Sequence, residues 1–219
     1  MTPEHLLFGS DLEALERLVP LKAQRIVHVG CGTGALSIEL AKRGASVLGV
    51  EADPQQALEN RSLGSLQGVT LVEGFAQNLP QNDGTVDGMI RVNFLSRVEA
   101  HDMDDCLAEA CRVLKENDGL LYVCDYDTSG SYDDMVRMFH DQSIERVWAL
   151  NALLRMPQDA FARAREIHYG LKRQFPNFDA FVANARAAGD TELTIESIDS
   201  EHVRAMFEHG RTGSIFEFE

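Results

Sequence analysis

The feature that most constrains this fold is a regular alternation of strand-like and helix-like segments between Arg25 and Asp125. Short runs rich in β-branched residues predict the strands RIVHV, SVLGV, VTLVEG, VDGMIRV and GLLYVCDY. Longer stretches between them predict the helices GALSIELAKRG, PQQALENRSL and DMDDCLAEACRVLKE. Strands and helices that alternate at this spacing form βαβ units. We therefore expect an α/β fold with a doubly wound, mostly parallel sheet.

The pattern changes towards the C-terminus. From Ser131 to Gly189 the sequence predicts helices only, and the segments TELTIES and GSIFEFE predict two further strands, for seven in all. We expect a single domain with a helical N-terminal segment (1–24), a sheet core (25–127), a helical insertion (128–190) and the last two strands (191–219). The insertion is predicted to cover the carboxyl edge of the sheet as a lid.

A glycine-rich turn follows the first predicted strand. Gly30, Gly32 and Gly34 stand at alternate positions, and glycine leaves no side chain between the backbone and a ligand. Glu51, at the end of the next strand, is placed to accept hydrogen bonds from both hydroxyls of a ribose. Asp53 better suits the cap of the following helix. The pattern predicts a site for an adenosine-containing ligand, either a dinucleotide or S-adenosyl-L-methionine.

The glycine spacing and the later motifs distinguish these two ligands. Dinucleotide sites favour G-x-G-x-x-G, whereas this turn reads G-x-G-x-G and continues with Ala35. The stretch VGCGTGALSIELAKRGASVLGVEADP resembles the first two motifs of class I S-adenosylmethionine-dependent methyltransferases. The resemblance continues through VEGFAQNLPQNDGTVDGMI and CLAEACRVLKENDGLLYV. It implies a Rossmann-like sheet and methyl transfer to a small molecule. A non-catalytic cofactor-binding protein and a nicotinamide-dependent oxidoreductase are the alternatives.

The resemblance also implies which residues contact the cofactor. By position Gly30, Cys31 and Gly32 contact the methionine part, and Gly34 belongs to the same cofactor-binding turn. Glu51 binds the ribose, Ala52, Ala76 and Gln77 lie along the adenine, and Asn93 lies near the methyl group. Two candidate contacts depart from the family. His28 stands where many members carry an acid that helps to hold the ammonium group, although a buried strand histidine bonded to a backbone carbonyl is the interpretation we favour. Phe75 stands where many carry an aspartate for the adenine amino group, and its ring can only pack against the purine.

Residues on the acceptor side follow the last strands of the core. The candidates are Asn93, Arg97, Asp125, Tyr126 and Asp127. Methyl transfer from a sulfonium needs alignment of the acceptor, and it needs a base only if the acceptor loses a proton. We expect one of the two aspartates to face the site. The alternative for each is a solvated loop residue.

The helical insertion carries a basic stretch. Residues 143–175 hold Arg146, Arg155, Arg163, Arg165, Lys172 and Arg173 against Glu145, Asp159 and Glu166. Solvated arginines on an amphipathic helix pair are one interpretation. The other is that one or two arginines bind a carboxylate or phosphate of the acceptor. His140 and His168 are expected at the surface. His202 and His209 have no other candidate ligands to complete a metal site, so no metal is predicted.

Charge and hydropathy restrict the partners. The formal net charge of −15 argues against a nucleic-acid partner, because affinity for phosphate backbones depends on Lys and Arg. No apolar run approaches the ~20 residues that cross a bilayer, and the N-terminus does not resemble a signal peptide. We expect a cytoplasmic protein with reduced cysteines and no membrane partner. Apolar faces on the insertion would allow two chains to pair as a homodimer.

Overall fold

The computed structural model describes residues 6–126, 131–157, 159–173, 175–187, 204 and 216–217. The chain divides into two compact units. The core unit comprises residues 12–126 and 145–165, and the second unit comprises residues 1–11, 127–144 and 166–219.

The helices and strands follow one another in chain order. The strands are β1 Leu6–Phe8, β2 Arg25–Val29, β3 Ser46–Glu51, β4 Val69–Glu73, β5 Gly88–Val92, β6 Leu120–Cys124, β7 Tyr169–Arg173 and β8 Phe216–Glu217. The helices are α1 Asp11–Leu18, α2 Ala35–Lys42, α3 Pro54–Ser62, α4 Met103–Val113, α5 Ser131–Val136, α6 Ser143–Arg155 and α7 Phe178–Ala187, with a 3₁₀ turn at Leu95–Arg97.

The core unit is built on a parallel sheet with strand order β4-β3-β2-β5-β6. Its five strands and the three helices between Ala35 and Val113 confirm the elements predicted from the sequence. Strand β2 pairs with both β3 and β5, so the strand order runs outwards from β2 in two opposite directions. Ligands of doubly wound sheets bind outside the carboxyl ends of the strands at such a point.

Side chains of the strands alternate between two apolar layers, as the pleat of a sheet requires. Val27 and Met89 face one layer, which they share with buried residues of α4. Ile26 and Ile90 face the other layer, together with Leu15 of α1 and residues of α2. The central strand is therefore buried on both sides, which is the usual environment of a parallel strand.

Helix α6 also belongs to the core unit, although it comes from the predicted insertion. Its buried residues Ala149 and Ala152 pack with Leu95, Met103 and Leu107. The rest of the helix leaves five apolar side chains exposed, namely Ile144, Val147, Trp148, Leu150 and Leu154. Pairing of two chains through such side chains stays a prediction.

The structure of the second unit differs from three of the expectations. Residues 169–173 form strand β7 in a stretch predicted to be only helical, and residues 6–8 form strand β1 in a segment predicted to be helical. These two strands pair in parallel. Residues 216–217 do form a strand, but it pairs with β7 and does not extend the core sheet, whose described strands number five and not seven. The segment TELTIES lies outside the described residues. Pairing between such distant segments leaves no signal in a local pattern.

Among the residues that the structure describes, no helix combines the length and the apolar character needed to cross a bilayer.

Candidate functional site

The residues predicted to bind the cofactor follow the carboxyl ends of neighbouring strands of the core sheet. Because all five strands are parallel, these ends meet at one edge. The edge carries Gly30–Gly34 after β2, Glu51 and Ala52 at β3, Phe75–Gln77 after β4, Asn93 after β5, and Asp125 with Tyr126 after β6. Asp127 lies outside the described residues.

The glycine turn is held against strand β3. The N–H groups of Gly30 and Cys31 both donate to the carbonyl of Val50, at 2.9 and 3.1 Å. Gly30, Gly32 and Gly34 all have positive φ angles, of 70°, 53° and 77°. The backbone conformation alone thus explains why glycine occupies each of these positions.

The three glycines differ in what occupies the space of the missing side chain. At Gly30 a Cβ atom would collide with the ring of Phe94, and at Gly34 it would lie 2.8 Å from Cδ1 of Leu71. At Gly32 it would meet nothing within 4 Å. Gly30 and Gly34 therefore make room for the protein's own side chains, and only Gly32 presents bare backbone to open space.

Replacement of Gly32 by alanine is expected to separate ligand binding from folding. The positive φ angle costs roughly 1–2 kcal/mol in an alanine, and the added methyl group lies where a ligand would approach the turn. Gly64→Ala is the matched control, since Gly64 has a φ of 73° and equally open surroundings in the turn after α3. Denaturant unfolding should give similar losses for both variants, whereas calorimetry with S-adenosylhomocysteine should show weaker binding only for Gly32→Ala. Equal affinities would contradict this.

The carboxylate of Glu51 organises the same turn. Its Oε2 atom accepts from the N–H of Gly32 at 2.7 Å, and its Oε1 atom accepts from the N–H of Asp53 at 3.0 Å. A carboxylate has about four lone-pair positions, so acceptor capacity remains for the hydroxyls of a sugar. Asp53 caps α3 by accepting from the N–H groups of Gln55 and Gln56, as predicted.

Asn60 is a further candidate site residue, which the sequence patterns did not indicate. It lies on α3 with 5% of its surface exposed, and its Nδ2 atom donates to the carbonyl of Gly32 at 2.8 Å. The available signal was its position three residues after the buried Ala57, on the face of α3 that packs inwards.

His28 is buried between β2 and α2, with 3% of its surface exposed. Its Nδ1 atom lies 2.9 Å from the hydroxyl of Ser37, so its partner is a side chain and not the expected carbonyl. Burial lowers the pKa of His28 to about 4, which keeps the ring neutral. A neutral imidazole cannot replace the charge of the acid found in the family. Contact of His28 with the cofactor stays a prediction.

The loop after β4 borders a cavity of about 520 Å³. The cavity is lined by Glu73, Gly74, Phe75, Asn78, Leu79 and Pro80. Phe75 is 60% exposed, so part of its ring is accessible to a planar ligand. Ala76 instead contributes its side chain to the apolar layer beside Leu79, which leaves only its backbone for a ligand, and Gln77 is half-buried.

Two polar side chains follow β5 and β6. Asn93 has a left-handed φ of 50°, and its Oδ1 atom is buried without a hydrogen-bond partner. Asp125 accepts from the hydroxyl and the N–H of Ser96, at 3.0 and 3.3 Å. Burial raises the pKa of Asp125, although the bonds from Ser96 and the charges of Arg146 and Arg97 act in the opposite direction. An unusual backbone angle beside a buried polar atom is typical of a functional site.

The remaining candidates are distributed more widely. Tyr126 is half-buried directly after Asp125. Arg155 forms an exposed ion pair with Asp104 at 2.7 Å, and His168 lies 3.2 Å from Glu166 at the surface. Of the other basic residues, Arg163 and Arg165 are exposed, and Lys172 and Arg173 are on strand β7. His140 is half-buried, while His202 and His209 lie outside the described residues.

Comparison with known proteins identifies similar sequences. Residues 26–117 match the model of a family described as a methyltransferase domain. A putative methyltransferase of Geobacillus sp. is 30% identical over 136 residues, which are 58% of this chain and 53% of that protein. This part of the chain is similar to a methyltransferase domain.

Other similar proteins extend the comparison. The ubiquinone biosynthesis O-methyltransferase of Xylella fastidiosa is 27% identical over 55% of this chain and 49% of that protein. The chain thus spans about half the length of these two relatives. The crystal structure of a putative methyltransferase from Bacillus halodurans covers 96% of this chain and 94% of its own, with a TM-score of 0.61 and 21% identity. That likeness concerns the fold.

The carboxyl edge offers several groups to a ligand such as S-adenosylmethionine. Open space lies over the backbone of Gly32, and Glu51 retains acceptor capacity beyond the N–H group of Gly32. Phe75 offers an exposed ring beside the cavity. In the described part of the chain, no cluster of three or more His, Cys, Asp or Glu side chains is placed to hold a metal ion.

Proposed function

We propose that this chain transfers a methyl group from S-adenosylmethionine to a small-molecule acceptor. The observation that carries the proposal is the environment of Gly32, whose backbone is open to a ligand while Glu51 binds its N–H. A carboxylate beside an open glycine suits a ligand that joins a ribose to a flexible chain. When bound, S-adenosylmethionine supplies an electrophilic methyl group on a positive sulfur.

The protein's own contribution is binding and alignment. Glu51 holds the ribose, Phe75 packs against the adenine, and the turn at Gly32 supports the methionine part. In-line displacement requires the acceptor atom, the methyl carbon and the sulfur to be collinear, so fixed positions account for most of the rate. Exclusion of water prevents loss of the methyl group to solvent.

The acceptor side of the site is proposed to lie at Asn93 and Asp125. The unpartnered Oδ1 atom of Asn93 is suited to accept a hydrogen bond from a hydroxyl or amine of the acceptor. The raised pKa of Asp125 makes its carboxylate a stronger base than an ordinary aspartate. It could therefore take a proton from the acceptor as the methyl group is transferred. Tyr126 and Arg97 would border the same space.

The acceptor is proposed to be a small molecule. We further propose that it carries an anionic group. The similarity to a ubiquinone biosynthesis O-methyltransferase supports a small acceptor, and the net charge of −15 argues against RNA or DNA. Arg97 and Arg146 both act electrostatically on Asp125. Positive charge there would attract a carboxylate or a phosphate.

Binding and turnover test the proposal in two steps. Calorimetry is expected to show binding of S-adenosylmethionine and S-adenosylhomocysteine, and no binding of NADH. A labelled methyl group is then offered to small acids, to their esters and amides, and to RNA. Labelled small molecules support the proposal, and preference for acids over esters supports the anionic acceptor. Absence of cofactor binding, or labelling of RNA alone, would contradict it.

A non-catalytic role is the second candidate. It is supported by Phe75, whose ring cannot accept a hydrogen bond from the adenine, and by the neutral His28. Binding of the cofactor without turnover of any acceptor would favour this role over catalysis.

A further inference from the structure

The two peptide groups on either side of the Gly32 Cα atom are each held by one side chain. The N–H of Gly32 donates to Glu51 at 2.7 Å, and its carbonyl accepts from Asn60 at 2.8 Å. The thiol of Cys31 lies 3.8 Å from the same carbonyl and is a much weaker donor. Asn60 therefore provides the stronger side-chain bond on the carbonyl side.

The amide of Asn60 is itself oriented by a neighbour. Its Oδ1 atom accepts from Nε2 of Gln56, one turn earlier on α3, at 3.1 Å. This bond directs the Nδ2 atom towards Gly32, and burial of Asn60 excludes water as a competing partner. Helix α3 thus holds the turn in place through a defined donor.

A glycine with open surroundings has more conformational freedom than any other residue. Unless that freedom is removed before binding, a ligand must order the turn and loses affinity by doing so. Glu51 and Asn60 remove it together, because each limits rotation of one of the peptide groups that flank Gly32.

We propose that Asn60 is a positioning residue of the cofactor site. Its amide holds the Gly32 peptide in the conformation that binding of the cofactor requires. This role rests on the proposed function, and it assigns to α3 a part in cofactor affinity that is separate from the part of Glu51.

The test compares Asn60→Ala and Asn60→Asp with wild type. Both variants lack the donor, and the aspartate keeps the shape of the side chain. Calorimetry at a temperature where every variant is folded should show S-adenosylhomocysteine binding weakened by about 5- to 10-fold, the worth of one buried hydrogen bond. Asn82→Asp, at an exposed position in the loop before β5, controls for the added charge and should bind as wild type.

Hydrogen exchange of the ligand-free protein gives the second readout. The amide of Gly32 should exchange about 5- to 10-fold faster in Asn60→Ala, while amides in β2 and β5 keep their wild-type rates. A merely structural asparagine would lower the unfolding midpoint but leave both the affinity and this exchange unchanged, and that result would overturn the proposal. If wild type binds no S-adenosylhomocysteine, the proposed function fails, and unchanged exchange at Gly32 would separately overturn the role of Asn60.

Discussion

Replacement of Glu51 by glutamine is expected to weaken binding of S-adenosylhomocysteine by at least about 100-fold. Charge-assisted hydrogen bonds are worth about 1.5–3 kcal/mol each, and the ribose offers two hydroxyls, so a loss of roughly 3 kcal/mol is expected. Glutamine also has only one oxygen for the N–H groups of Gly32 and Asp53, so its amide nitrogen must face one of these donors. Titration calorimetry measures the effect directly.

Glu59→Gln is the control for this change. Glu59 lies on α3 and accepts from Gln55 at the surface, so the substitution removes the same charge without touching the turn. Its affinity should stay within about twofold of wild type, because exposed charges at a distance are largely screened. An unchanged affinity in Glu51→Gln would remove the main support for a ribose at this position.

The second large effect is expected in the pH dependence of stability. The pKa of His28 falls from its ordinary 6.5 to about 4 in the folded protein because the ring is buried. Between these two values the unfolded chain binds the proton and the folded chain does not. The free energy of unfolding should therefore decrease as the pH falls from 6.5 towards 4. The full shift corresponds to about 3 kcal/mol.

His28→Asn tests this contribution, because an amide can replace the ring Nδ1 atom beside Ser37 but does not titrate. Urea unfolding of both proteins at several pH values between 4 and 7 gives the difference curve, in which the shared titration of carboxylates cancels. As the pH falls over this range, the free energy of unfolding of the variant should decrease by about 3 kcal/mol less than that of wild type. His101→Asn, at an exposed position, should follow wild type. Parallel curves for His28→Asn and wild type would contradict the neutral buried histidine.

The core sheet was predictable because its signals are local. Each strand carries its own β-branched run, and each helix has its own periodic pattern, so order and spacing determine a parallel sheet. The cap formed by Asp53 was also predictable, since it acts within three residues of the start of α3. The role of Glu51 at a ribose stays a prediction. The resemblance to methyltransferases assigned the remaining candidate residues to positions at or after particular strands.

What the sequence could not show depends on contacts between distant residues. All three glycines suggested contact with a ligand, yet Phe94 and Leu71 fill the space at Gly30 and Gly34. The partner of His28 is Ser37 on another element, and strand β7 pairs with β1 and β8, which are distant in the sequence. A local pattern records that a residue is small or polar, but not which residue it meets.

The packing of α6 on Met103 and Leu107 limits how far this protein can be shortened. A fragment that stops at Tyr126 would retain every strand of the core sheet and every turn at its carboxyl edge. It would nevertheless expose to water the apolar surface that α6 covers, next to the 3₁₀ turn that carries Ser96 and Arg97. The region that matches the family therefore relies on a helix outside it to cover apolar surface beside the residues proposed to bind the acceptor.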